Sequence, residues 1–266
     1  MQKNIVAEPQ LAGQGKQKIE WVKRNMPILR QIEDDFRKHQ YFSGLRVLVC
    51  IHLEAKTAYL AQVFAAGGAE VAVTGSNPHS TKDDVVAALA EEGMHVYARY
   101  GATPEEMRQY MNRALDVRPN IMIDDGGDIA ELLHTERQEL LPEVLGACEE
   151  TTTGVLRAKA RAKAGVLEFP VVLINDARCK YLFDNYHGTG QSVWDGVMRT
   201  TNLVVSGKTV VIIGYGWCGK GCAERAQGLG ANVIVCEVDP IKAADALMHG
   251  LRVMPLNQAV PEGDII

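Results

Sequence analysis

The sequence predicts an α/β protein with a parallel-sheet domain followed by the first half of a Rossmann-type nucleotide domain. Three observations predict it. Short apolar runs alternate with helical stretches from Arg46 onward, as βαβ units do. A glycine-rich turn, Gly214-Tyr215-Gly216-Trp217-Cys218-Gly219, joins such a run to a helix. Polar clusters fall just after the strands, where parallel sheets bind ligands.

Taken in order, residues 1–15 are rich in Gln and Gly and read as loosely ordered. Ile19, Val22, Met26, Leu29 and Ile32 recur at helical spacing, predicting a helix over Lys16–Lys38 interrupted or restarted near Pro27. Strands follow at Arg46–Ile51, Glu70–Thr74, His95–Tyr100, Ile121–Asp124 and Val171–Ile174. Helices intervene at Ala55–Ala66, Lys82–Glu92 and Pro104–Leu115. Tyr186–Ser206 reads as a loop and helix linking two domains, giving expected bounds of 1–185, 186–206 and 207–266. Pro261–Ile266 resembles the start of a fourth strand of the nucleotide domain, so a fragment, or a subunit completed by another chain, is expected.

With 266 residues, a prior of about 150 per domain also suggests two domains. A net charge of −5 gives no support to nucleic-acid or anionic-membrane partners. The polar N-terminus predicts no signal peptide, no apolar run approaches membrane-spanning length, and the six cysteines lack CxxC spacing. A cytoplasmic protein with reduced thiols and no metal site is expected. Cys218 and Cys222, at i and i+4, read as packing residues.

The nucleotide segment is the most specific. Thr209–Ile213 is a buried strand, Lys220–Leu229 a helix and Asn232–Cys236 a second strand ending at Glu237. Glu237 lies 21 positions beyond Gly216, near the spacing of about 20 in dinucleotide-binding units. Gly214 permits a tight turn, Gly216 a close backbone approach to a pyrophosphate, and Gly219 close packing of helix on strand. The helix N-terminus faces phosphates, and Glu237 accepts from ribose hydroxyls.

The other candidates are ambiguous alone. Asp124-Asp125-Gly126-Gly127-Asp128 crowds three carboxylates, so at least one should have a raised pKa; equally, Asp128 could cap a helix. Glu149-Glu150-Thr151-Thr152-Thr153-Gly154 reads by itself as a helix cap. Lys180 and Asp184 form either a surface ion pair or a lysine tuned for a substrate hydroxyl. His52 is a core histidine or a functional one.

In order along the chain, however, IHLEAKTA, GSNPHSTKDDV, DDGGD, EETTTGV, KYLFDN, GYGWCGKG and EVDPIKA resemble the S-adenosylhomocysteine hydrolase family, from about Ile19 to the last residue. The resemblance implies a thioether hydrolase of the methyl cycle, usually homotetrameric, that holds NAD tightly. The substrate's 3′-hydroxyl is oxidised, the 4′ proton is lost, homocysteine leaves the 5′ carbon, water adds there, and the 3′ position is reduced again. It also implies Lys180, Asp184 and Glu150 at the sugar hydroxyls, with Asp125 and His52 as acid/base groups near the 4′ and 5′ positions. Thr151, Thr152, Thr153, Asn185, Gly214, Gly216, Trp217, Cys218, Gly219, Lys220, Gly221, Glu237 and Lys242 fall at cofactor positions.

Glu54, Lys56 and Thr57 fall at the substrate base. Many members carry Thr and Glu where this chain has Glu54 and Lys56. The swap suits hypoxanthine, Glu54 accepting from N1–H and Lys56 donating to the 6-keto oxygen, unless the two side chains simply pair. Thr189 stands where many members have Cys, and Lys242 replaces a common Asn, although Glu237 should still repel the 2′-phosphate of NADP. An ordinary NAD dehydrogenase or an inactive truncated paralogue remain as other readings. The first leaves DDGGD, EETTTG and KYLFDN unexplained.

Overall fold

The computed structural model describes residues 4–266. The chain divides into two compact units, residues up to Asn175 and Asp176–Ile266.

The first unit is built on six parallel strands: β1 (Arg46–Ile51), β2 (Glu70–Gly75), β3 (His95–Tyr97), β4 (Ile121–Asp124), β5 (Gly146–Glu149) and β6 (Val171–Leu173). Their order is β3-β2-β1-β4-β5-β6. Successive side chains of a strand point to opposite faces. Val47, Val49 and Ile51 of β1 therefore enter one core, and Leu48 and Cys50 the other. Burial on both faces is why β1 reads as an unbroken apolar run rather than an alternating one. The chain winds from β1 out to β3, then returns to lay β4 on the free edge of β1. The loops after β1 and β4 thus leave in opposite directions, and the crevice between them is the topological switch point.

Several sequence-based expectations change. The segment expected to be loose is ordered where it is described, and its residues 1–3 lie outside the described residues. Ile5 bridges to Tyr97, and a helix begins at Ala12. Gly15 is its contact point, since a Cβ there would sit 1.9 Å from the carbonyl oxygen of Asp84. Glycine marks a close helix approach here rather than flexibility. The break near Pro27 is real: Ala12–Arg24 ends, and Pro27 opens the helix Pro27–His39 at its first position. β5 was not anticipated, because Gly146-Ala147-Cys148-Glu149 is short and lacks an apolar run. The helices Asp128–Thr135 and Thr152–Ala164 were visible only as possible caps.

In the second unit β7 (Thr209–Ile213), β8 (Asn232–Cys236) and β9 (Arg252–Val253) are parallel in the order β7-β8-β9. Val210, Val233 and Val235 pack with Ala223 and Ala226 of the helix Trp217–Gly228 on one face. Val211, Ile234 and Cys236 fill the other. Ile265 makes a parallel bridge to Val210 on the free edge of β7, where a fourth Rossmann strand belongs. The helix after the glycine turn begins at Trp217, three residues earlier than expected. Tyr186–Gly188 is not a loop: it ends a π-helix, Tyr181–Gly188, that runs directly into the α-helix Thr189–Thr201. No helix among the described residues is long and apolar enough to cross a membrane.

Candidate functional site

At the switch point of the first unit, Asp125 follows β4 and His52 follows β1. His52 Nε2 lies 3.4 Å from Asp125 Oδ2. The imidazole is about half exposed, whereas the carboxylate is 11 % exposed. The two groups thus face each other at a surface open to a ligand, slightly farther apart than a direct hydrogen bond. Ser76 Oγ donates to the same Asp125 oxygen at 2.8 Å, and Ser80 Oγ sits 2.6 Å from His52 Nδ1. The two serines come from the polar cluster after β2, but nothing in the sequence showed which of its members reach the acid and the base. Beside them a cavity of about 460 Å³ is lined in part by Ser76, His79, Met107 and Asp128.

The three acids of the glycine loop separate into three environments. Asp124 ends β4 and is 1 % exposed. Its Oδ1 accepts from the Asp125 N–H at 3.0 Å and its Oδ2 from the Ala130 N–H at 3.1 Å. Burial, and then the neighbouring Glu149 carboxylate, push its pKa up to about 8. The raised acid that crowding predicted is thus a buried one, with both oxygens on backbone amides. It also holds the N-terminus of the helix Asp128–Thr135, a role expected of Asp128, which makes no side-chain cap. Asp128 instead pairs with Arg157 Nη1 at 2.8 Å, and the same nitrogen donates to the Gly126 carbonyl. No local sequence signal indicated Arg157.

Glu149, paired with Asp124 across the sheet, is buried and accepts from the Gly126 N–H at 2.8 Å and the Thr151 N–H at 3.0 Å. Burial raises its pKa. It ties the carboxylate loop to the start of the threonine helix. Gly154 is required beside it: a Cβ there would meet Glu149 Cδ at 2.1 Å. Glu150 follows, half-buried, its N–H bonded to the Asp124 carbonyl. Thr151 is the N-cap of the helix Thr152–Ala164, Thr152 Oγ1 accepts from Asn175 Nδ2, and Thr153 is exposed.

Near His52, Glu54 caps the helix Ala55–Ala66, accepting from the Lys56 N–H at 2.9 Å through Oε1. Among the described residues no ion pair joins the Glu54 and Lys56 side chains. Thr57 is buried and gives its hydroxyl to the His52 carbonyl, so in this structure it orients the His52 loop.

In the second unit each glycine of the fingerprint has its own geometry. Gly214 has φ +93°, a conformation that favours glycine. A Cβ on Gly219 would fall 2.1 Å from the Gly214 carbonyl oxygen, which requires glycine for the helix to cross the turn. At Gly216 a Cβ would meet nothing within 4 Å. That opening lies at the N-terminus of the helix Trp217–Gly228, a cradle suited to phosphate. Glu237 accepts from the N–H groups of Tyr215, Val238 and Asp239. Those bonds, led by that from Asp239, hold its pKa low and keep it a carboxylate above the turn. These features fit a dinucleotide.

Gly221 serves packing: a Cβ there would be 1.9 Å from the Tyr186 carbonyl oxygen. Trp217 stacks on Tyr181 with ring centroids 4.7 Å apart. Lys220 pairs with Asp245, and Lys242 lies 3.7 Å from Asp239. Cys218 neighbours Asn185 and Thr189.

Lys180 is the N-cap of the π-helix that carries the rest of KYLFDN, and its side chain meets residues four and five positions on. Lys180 Nζ is 3.3 Å from Asp184 and 2.9 Å from Asn185 Oδ1, its side chain 12 % exposed. The lysine side chain is largely covered, whereas its partner Asp184 is mostly exposed.

Residues 3–142 match the family model for S-adenosyl-L-homocysteine hydrolase, and residues 185–266 match the NAD binding domain of the same family. The chain is 57% identical over 260 residues to an adenosylhomocysteinase of Pyrococcus abyssi, covering 98% of this chain and 62% of the relative. It is 55% identical over 260 residues to an S-inosyl-L-homocysteine hydrolase of Methanopyrus kandleri, covering 98% and 61%. A protein of that second name in Methanocaldococcus jannaschii is 55% identical over 252 residues, covering 95% and 61%. The chain thus spans a little over three fifths of the length of these curated relatives. With NAD as the cofactor its glycine turn fits, the chain belongs to the S-adenosyl-L-homocysteine hydrolase family.

Proposed function

We propose that this protein catalyses the reversible hydrolysis of the thioether of an S-nucleosylhomocysteine, giving the nucleoside and homocysteine. The observation that carries the reading is the Asp125–His52 pair, 3.4 Å apart at the switch point, in a chain with an intact dinucleotide turn. NAD, when bound, supplies a reversible hydride acceptor for the 3′ carbon of the ribose.

The residues do the rest. In the first unit, Asp125 takes the 4′ proton and returns it, His52 serves the 5′ position where the thiol leaves and water adds, and Glu150 accepts from the sugar hydroxyls. In the second unit, Lys180 is a cation that lowers the cost of removing the 3′-hydroxyl proton, with Asp184 accepting beside it. Incubation with S-adenosylhomocysteine and with S-inosylhomocysteine, followed by assay of homocysteine, tests the reading; release from neither overturns it. Lys180→Ala should lose 3′ oxidation, and a variant that reduces bound NAD as fast as the parent refutes that role.

A specific observation favours a second substrate. Glu54 spends Oε1 on a helix cap, leaving Oε2 to accept, and it forms no ion pair with Lys56. That supports a carboxylate for N1–H and an ammonium for a 6-keto oxygen, the pattern of hypoxanthine. Comparison of kcat/KM decides: equal or better turnover of the inosyl substrate supports it, and about a hundredfold preference for the adenosyl substrate, about 2.7 kcal/mol, excludes it.

A further inference from the structure

The loop after β2 touches the acid and the base at different atoms. Ser76 Oγ donates to Asp125 Oδ2 at 2.8 Å, the oxygen that faces His52 Nε2. Ser80 Oγ lies 2.6 Å from His52 Nδ1 and 3.2 Å from the Asn77 carbonyl. A serine hydroxyl has one proton to give, and a carbonyl can only accept. With the Ser80 proton on Asn77, its lone pair faces Nδ1, which must then carry a proton. Nε2 is then the nitrogen that takes up and gives back a proton, and because Asp125 Oδ2 stands opposite it, that proton must lie between the two for the contact to be attractive. Asn77 is fixed for this role: its carbonyl also accepts from Thr81 Oγ1 at 3.0 Å, and its side chain accepts from the His79 N–H at 2.9 Å.

We propose that Ser80 and Ser76 are positioning residues of the reaction: Ser80 sets the tautomer of His52, and Ser76 fixes which carboxylate oxygen of Asp125 meets it. The proposal deepens the acid/base reading of Asp125 and His52 and rests on it for its catalytic meaning. Each serine acts through its partner, as the orienting groups of histidine bases do.

Nitrogen-resolved NMR of the imidazoles tests this without substrate or cofactor, with His52→Asn used to assign the signal. In the parent the neutral His52 ring is expected to carry its proton on Nδ1. In Ser80→Ala it should move to Nε2, and Ser80→Thr, which keeps the hydroxyl, should restore the parent spectrum. Ser76→Ala should leave the tautomer on Nδ1 while changing the Nε2 shift. A parent ring protonated on Nε2, or a Ser80→Ala spectrum identical to the parent, overturns the proposal. Homocysteine release measured in parallel separates the two questions. If the tautomer moves as expected but no substrate is cleaved, the geometry stands and the functional reading falls. If substrate is cleaved and the tautomer does not move, only the positioning role falls.

Discussion

The two sheets share a winding but present different chemistry at their ligand ends. In each, the first strand is followed by a loop at the switch point. After β1 that loop is His52-Leu53-Glu54, and it offers side chains. After β7 it is Gly214-Tyr215-Gly216, and its glycines leave bare backbone. The difference follows from what is to be bound. The proposed acid/base role needs titratable groups at fixed atoms, and the first unit offers His52, Asp125 and their serines. A phosphate needs N–H groups and the room to reach them, so the second has a Cβ-free opening at Gly216 and a helix N-terminus. The acids differ as well. Asp124 and Glu149 are buried and held toward the neutral form, whereas Glu237 is held ionised by three N–H groups.

The largest effect should come from Gly219→Ala, whose Cβ meets a backbone oxygen that cannot step aside. A loss of about 1–3 kcal/mol of stability is expected, with NAD binding weakened at least tenfold, measurable by melting and by titration. Gly216→Ala should separate the two properties. Its Cβ has open space, so stability should change by less than about 1 kcal/mol while NAD affinity still falls about tenfold or more. Equal loss of stability in both variants would break the distinction between a packing glycine and a ligand glycine.

Next in size is the pH dependence of the first unit. The folded pKa of Asp124 is raised, so its stabilising contribution is complete below its unfolded value of 3.8 and is lost as pH rises through about 8. Asp124→Asn stays neutral throughout. Relative to that variant the parent should lose on the order of a few kcal/mol between pH 4 and pH 8, read from melting curves. A constant difference across that range would mean that Asp124 is ionised in the fold.

Gly154→Ala should cost about 1–3 kcal/mol because its Cβ overlaps the Glu149 carboxylate. The same substitution in a Glu149→Ala background should cost less by at least about 0.5 kcal/mol; strict additivity would place the strain elsewhere. The smallest effect is expected of Glu237→Gln, which keeps the turn but removes the charge. NAD affinity should fall by about tenfold or less, and discrimination against NADP should relax.

The sequence by itself determined most of the strands, the glycine turn and the family, because these rest on local rules. β1 shows an apolar run, each fingerprint glycine has a backbone reason within a few residues, and the motif order is linear. The His52, Asp125 and Lys180 candidates were legible for the same reason, as polar groups just beyond apolar segments. Only the tertiary structure decided how each group is used. The division of Asp124, Asp125 and Asp128 among burial, a serine–histidine couple and Arg157 depends on neighbours dozens of residues away. The π-helix that follows Lys180, the close approach that requires glycine at residue 15, and the strand β5 left no local pattern either. They arise from close approach between segments, and distance in space has no fixed spacing along the chain.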